Sequence, residues 1–349
     1  MVDPSRLVEI HPERVGAVSS PHFPHNDSSS TDYSWSLNQF KTSLQTKITR
    51  LSLDRIEFDL VGVDASIANA LRRTLMAEVP TVAIESVYVW NNTSIVVDEV
   101  LSHRLGLVPL KIEPERISMR EGPEDVPTDR NTMVFKLEVN CERVGRGPSS
   151  RITGSKVLSG DIQWDPKGTQ AEDWKDDPPR PVHNDILLAK LRPGQKVKLE
   201  LHCVKGIGKD HAKFSPVCTA SYRLLPHIDI LNPLDIDEED IPKFVACFPK
   251  GVIGIRRHKA SGRQEVYVKN ARKDTVSREV LRHAEFQDKV KLGRIRDHFL
   301  FDVESTGAVE PQVLLPRAIN VLLEKIRILR RGVEQLENQH TSFTTGPHR

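Results

Sequence analysis

Four cysteines, a glycine-containing turn and a few histidines are the side chains here whose types could do chemistry. Cys141, Cys203, Cys218 and Cys247 are separated by 62, 15 and 29 positions. Zinc and iron–sulfur sites need ligands that converge at fixed distances, and closely spaced pairs such as C-x-x-C usually supply them. No such pair occurs, and no His follows a Cys at finger-like spacing. No metal is expected, and the four read as buried apolar thiols. Gly206-Ile207-Gly208-Lys209 has the outline of a phosphate loop, but it lacks the third glycine of a dinucleotide fingerprint and the Walker spacing. It reads as a tight surface turn exposing Lys209, Asp210, His211 and Lys213. His103-Arg104, Asp210-His211 and Arg256-Arg257-His258-Lys259 are isolated polar groups, and Arg256 to Lys259 reads as a basic surface loop. Neither G-x-S-x-G nor H-E-x-x-H occurs. No catalytic residue and no cofactor is expected.

The chain has 349 residues, enough for about two domains. Its 50 Lys+Arg against 48 Asp+Glu leave a net charge of +2, which argues against coating nucleic acid by bulk positive charge. Four cysteines in this length exclude a disulfide-built scaffold. No apolar run of about 18 residues occurs, so no transmembrane helix is expected. The first residues, MVDPSRLVEIHPERVG, are too acidic and proline-rich for a secretory signal. A reducing compartment, cytosol or nucleus, is expected, and the acceptor-like Asn26, Asn91 and Asn92 are expected to be bare.

The elements that position these residues follow from periodicity. Residues 1–40, with Pro4, Pro12, Pro21, Pro24 and the run Ser28-Ser29-Ser30, read as a mobile or surface-lying arm. Alternation from Thr46 to Val63 predicts a strand, and Asp64 or Ser66 a cap for a helix over Ile67–Val79 that Pro80 ends. VAIESVYVW predicts a strand, and Asp98–Leu105 a short helix with Asp98 as N-cap and Gly106 as stop. Strands are predicted over Thr132–Asn140, Ile162–Trp164, Lys196–Val204, TASYRLLP and His298–Val303, and a helix over Asp274–Phe286. The strongest signal is C-terminal. Leu315, Ile319, Leu322, Ile326, Leu329, Val333 and Leu336 are spaced 4, 3, 4, 3, 4, 3, an a/d heptad pattern. Periodicity alone leaves it either a core helix or a dimerisation helix.

Several stretches resemble one family. Asn69-Ala70-Leu71-Arg72-Arg73 with TLMAEVPTVAIESV resembles the first helix of the α-type subunits of multisubunit RNA polymerases. DEVLSHRLGLVPL, KLRPGQKVKLELHCVKGIGKDHAKFSPV and FDVESTGAVEP resemble later segments in the same order, over residues 45–340. The resemblance implies an α+β fold: a discontinuous dimerisation domain of antiparallel sheet plus two helices over 41–83 and 219–340, interrupted by a mainly-β insert domain at 84–218, with a C-terminal tail at 341–349. It moves the heptad helix towards an interface with a smaller α-like subunit, formed by Ile67, Leu71, Leu315, Ile319, Leu322, Ile326, Leu329, Val333 and Leu336. Arg72, Arg73, Lys209, Asp210, His211 and Lys213 become candidate contacts to the two largest subunits. Relatives carry cysteine clusters where the loop 117–130 and the stretch 270–275 have none. Residues 226–289 are therefore a candidate metal-free ferredoxin-like remnant, and the chain resembles most the branch shared by eukaryotic RNA polymerases I and III. The implied role is a non-catalytic assembly platform in the nucleus and nucleolus, with no membrane contact and DNA contact indirect at most. A stand-alone nucleic-acid-binding protein using Arg256–Lys259 and the Lys209 turn is the alternative, and a metal-free enzyme using His103 or His211 a third reading.

Overall fold

The computed structural model describes residues 6–18, 36–120, 122, 124–145, 151–258 and 262–344, with side chains to Glu337. Pro4, Pro21, Pro24, Asn26, the serine run, Lys259 and the end of the 341–349 tail lie outside the described residues. The elements used below are, in chain order, β1 (Leu7–Ile10), β2 (Val15–Gly16), α1 (Leu37–Ser43), β3 (Gln45–Leu51), β4 (Arg55–Val61), α2 (Ala65–Ala77), β5 (Thr81–Asn92) and α3 (Asp98–Gly106). They continue as β6 (Thr132–Asn140), β7 (Ile162–Trp164), β8 (Lys196–Gly206), β9 (Val217–Ile230), β10 (Ile253–Arg257), β11 (Gln264–Val268), β12 (Val290–Ser305) and α4 (Pro311–Thr344). The fold is α+β, and the strand pairs are antiparallel.

Two compact units divide the chain, each discontinuous in sequence. One holds residues 1–49, 57–69 and 221–301; the other holds 50–56, 70–220 and 302–349. In the first, the sheet order β2-β1-β12-β4-β3, with β9 also on β12, brings Leu7 opposite Ile295 and Ile10 opposite Leu292. Phe58 stacks on Phe301 with ring centres 4.9 Å apart, and Tyr222 meets Phe299 edge-on at 5.3 Å. The same unit has a satellite core in which Phe244, Val266, Phe286 and Val290 surround the β10–β11 hairpin.

The second unit is built on the four-stranded sheet β7-β6-β8-β5. Period-2 alternation sorts its faces. Met133, Phe135 and Leu137 of β6 and Leu199, Leu201 and Cys203 of β8 point into one apolar core with Leu101 and Leu105 of α3. Lys136, Glu138 and Lys198 lie on the other face, where Lys198 and Lys196 both pair with Glu138.

Several expectations need correction. The arm contains a strand: β1 pairs along β12, a partner almost the whole chain away that local periodicity cannot reveal. The single strand expected over Thr46–Val63 is a hairpin, turned at Ser52, whose hydroxyl accepts from Arg55 N at 3.1 Å. Asp98 is the first residue of α3, with Val97 in the cap position. The helix expected over Asp274–Phe286 is replaced by short turns at Glu279–Arg282 and Ala284–Gln287. Val276 and Arg278 take φ of 57° and 62°, left-handed backbone that a continuous α-helix cannot contain. Arg256 and Arg257 are strand residues of β10 rather than loop.

Candidate dimerisation surface

Helix α4 runs for 34 residues, about 50 Å. Pro311 begins it, where a missing N–H costs nothing. Its first turns are anchored: Leu314 and Ala318 are buried, Leu315, Val321 and Leu322 half-buried, and Arg317 donates to Glu113 at 2.6 Å. Lys325 pairs with Glu78, just beyond the end of α2. Beyond Leu322 the helix has no apolar cover among the described residues. Ile326 is 61% exposed, Leu329 70% and Leu336 63%, with Ile319, Leu323, Ile328 and Val333 also exposed. Charged side chains pair along the helix, Arg331 with Glu324 at 2.9 Å and Arg330 with Glu334 at 3.0 Å. The charges are thus largely satisfied while the apolar stripe faces water.

A helix with an apolar stripe longer than its own core can cover is incomplete as a monomer. Burying one such side chain is worth about 1.5–3 kcal/mol, against about 0–1 for a surface ion pair. Five of the heptad positions, Ile319, Ile326, Leu329, Val333 and Leu336, stand in this state. The arrangement can therefore do one thing well, which is to pack against another apolar helix.

On α2 the two residues expected at the interface part company. Asp64 caps the helix by accepting from Ser66 N at 2.9 Å, and Ala68, Leu71, Thr74 and Leu75 turn inward. Leu71, at 6% exposure, is packed in this chain's own core and has no face left for a partner. Ile67 is exposed. Arg72 is half-buried, with Nη1 near Met76 Sδ, and Arg73 is exposed.

The Gly206–Lys209 turn owes its glycines to packing. A Cβ on Gly208 would lie 2.3 Å from the Met76 carbonyl oxygen, and one on Gly206 2.7 Å from the Phe214 ring. Lys209 N donates to the Ala77 carbonyl at 2.8 Å, tying the turn to the end of α2. Lys209, Asp210 and His211 are exposed as expected. Lys213 is not. Its side chain is 12% exposed, and its ammonium donates to the Ile84 carbonyl at 2.9 Å and pairs with Glu85 at 2.5 Å. The sequence predicts a surface turn that exposes this lysine; the fold uses it as a clasp.

Cys141, Cys203 and Cys247 are buried, and desolvation pushes the Cys203 thiol up. Cys218 departs from expectation and is exposed, because Val217 and Ala220 rather than Cys218 point inward. Among the described residues no three His, Cys, Asp or Glu side chains converge as metal ligands. His103 and His211 meet edge to face with ring centres 6.5 Å apart. Arg256 pairs with the buried Glu265 at 2.5 Å and lies over Tyr267, while Arg257 stays exposed.

A model of the RNA polymerase Rpb3/Rpb11 dimerisation domain matches residues 57–326. The chain belongs to that family. DNA-directed RNA polymerases I and III subunit RPAC1 of Saccharomyces cerevisiae is 47% identical over 343 residues, 96% of this chain and 98% of the yeast protein. The human protein of the same name is 45% identical over 319 residues, 90% of this chain and 91% of its own length. DNA-directed RNA polymerase II subunit rpb3 of Dictyostelium discoideum is 32% identical over 314 residues, 88% of this chain and 98% of that protein. Membership in a dimerisation-domain family is consistent with a long helix whose apolar side has no cover among the described residues.

Proposed function

We propose that this chain is a non-catalytic structural and assembly subunit of DNA-directed RNA polymerases I and III, acting in the nucleus and nucleolus. The observation that carries this reading is the apolar stripe of α4 standing in water, in a chain of the Rpb3/Rpb11 dimerisation family. Ile319, Leu322, Ile326, Leu329, Val333 and Leu336, together with Leu315 and with Ile67 of α2, pack against a smaller α-like subunit. The pair forms a platform for the two largest subunits, and other polymerase I and III subunits dock around it. DNA contact is indirect at most.

The domain reading is a discontinuous dimerisation domain over 41–83 and 219–340 around an insert at 84–218. The apolar core that runs from Val82 to Cys203 supports the insert, although the compact units group residues 70–83 and 302–349 with it. The higher identity to subunits named for polymerases I and III, 45–47%, than to one named for polymerase II, 32%, supports that branch. Arg73, Lys209, Asp210 and His211, exposed as a contact requires, remain the contacts proposed to a large subunit, with Arg72 beside them.

The test is affinity purification of the tagged full-length chain from nuclear extract. Recovery of the largest subunits of both polymerase I and polymerase III is expected. Recovery of polymerase II alone, or of the chain by itself, overturns the proposal.

A further inference from the structure

The four-stranded sheet ends at β5, and the outer edge of that strand is treated differently along its length. Near its start the chain closes the edge itself. The Thr81 hydroxyl donates to the Phe214 carbonyl at 2.7 Å, and Lys213 reaches across to the Ile84 carbonyl and to Glu85. A lysine laid over an edge strand blocks pairing with another chain. From Val87 to Asn92, β5 pairs only with β8 among the described residues.

Over that open stretch the surface is apolar. Tyr88 and Trp90 stand out from β5, Trp90 at 69% exposure. Trp90 sits where the register on β8 shifts, between Val89 opposite Leu199 and Asn91 opposite Lys198, a bulge that re-aims its side chain. The turn that follows adds Ile95 at 87% exposure and Val97, and α3 adds Val100. The turn is held rigid. The Asn92 amide donates to the Val96 carbonyl at 2.9 Å and to Asp98 at 2.6 Å, and Ser94 Oγ donates to Asn92 Oδ1 at 2.7 Å. Apolar side chains displayed on an ordered turn lose little entropy when covered.

The charges beside the patch differ in how they are paired. Lys196 and Lys198 are engaged by Glu138, Lys213 by Glu85 and His202 by Glu200. Asp98 and Glu99 head α3 with no cation paired to either among the described residues. An acidic rim repels nucleic acid, and a second copy of this chain meeting edge to edge would bring like charges together.

We propose that the Val87–Asn92 edge and the Ile95–Val100 turn form a docking surface, distinct in residues from the α4 stripe, for an extended segment of another protein. The segment adds a fifth strand beyond β5, sets apolar side chains on Trp90, Ile95 and Val97, and offers Asp98 and Glu99 a lysine or arginine. Strand addition gives affinity through the main chain and specificity through alternate side chains. Its donor is another polymerase subunit, and in that respect the inference rests on the function proposed above.

The test compares the chain bound only to its small partner with the chain in the purified polymerase. Amide exchange over Val87–Asn92 is expected to slow at least tenfold on full assembly. A photo-crosslinker in place of Trp90 is expected to attach to one β-strand of another subunit with Lys or Arg within a few residues. Val97→Asp and Glu99→Lys are expected to keep small-partner pairing and lose most incorporation into the polymerase. Unchanged exchange, a crosslink to a second copy or to nucleic acid, or full incorporation of both variants overturns the inference. Failure of the unaltered chain to pair with any small α-like subunit strikes instead at the dimerisation reading.

Discussion

Single side chains decide more here than their number suggests. Asp59, buried on β4, accepts from Arg272 Nη1 at 2.7 Å and from His298 Nε2 at 3.1 Å, both at Oδ2. Burial alone would raise its carboxyl, but the hydrogen bonds from Arg272 and His298 outweigh it and hold the carboxyl below its ordinary range. A depressed native value means the stabilisation is whole above the unfolded carboxylate range, near ~4, and fades as pH falls through the native value. Asp59→Ala should cost about 2–3 kcal/mol in urea unfolding at pH 7, below the ~3–5 of a fully buried pair because Arg272 keeps some water. The difference between wild type and variant should narrow below pH 4. Gly208→Ala should lower the thermal midpoint by the equivalent of about 1–3 kcal/mol, since the methyl group meets backbone that cannot move aside. Exposed Cys218 should be alkylated by iodoacetamide in the native chain, and Cys141, Cys203 and Cys247 only after unfolding. Mass spectrometry reads both stages.

At the scale of elements, α4 carries the proposed pairing. Ile326→Asp and Leu329→Asp sit on side chains that touch little within this chain. Each should leave the circular dichroism and thermal midpoint of the isolated chain nearly unchanged, within about 0.5 kcal/mol. Each should weaken pairing with the small partner at least a hundredfold in a titration, because the new charge would be desolvated without a partner. Leu314→Asp should instead unfold the base of the helix, since Leu314 is buried. Elements were legible where one face was buried and the pattern local. Thr132–Asn140 is a strand at the residues alternation predicts, and the brief candidate Ile162–Trp164 is a strand too. They were not legible where backbone or distance intervened. The 274–286 segment has helical composition but left-handed residues at Val276 and Arg278. β1 is a strand only because residues 292–295 supply its hydrogen bonds.

For the molecule as a whole, an uncovered apolar helix makes solubility a matter of partnership. The isolated chain should self-associate as its concentration rises, and co-expression with the small α-like subunit should abolish this in sedimentation velocity. High salt should not restore solubility, because the drive is apolar rather than ionic. The amino-acid sequence by itself determined the heptad stripe, the absence of closely spaced metal-ligand cysteines and the near-zero net charge, all of them local or compositional quantities. Only the tertiary structure decided which apolar residues face out. Leu71 and Leu329 look alike in sequence, yet one is sealed in the core and the other stands in water. It likewise turned Lys213 from a surface cation into a clasp on Ile84 and Glu85, and left the far half of β5 open. Burial is a property of what the rest of the chain brings alongside a residue, and periodicity, which names the faces of a helix or strand, does not say which face the chain has enough apolar surface to cover.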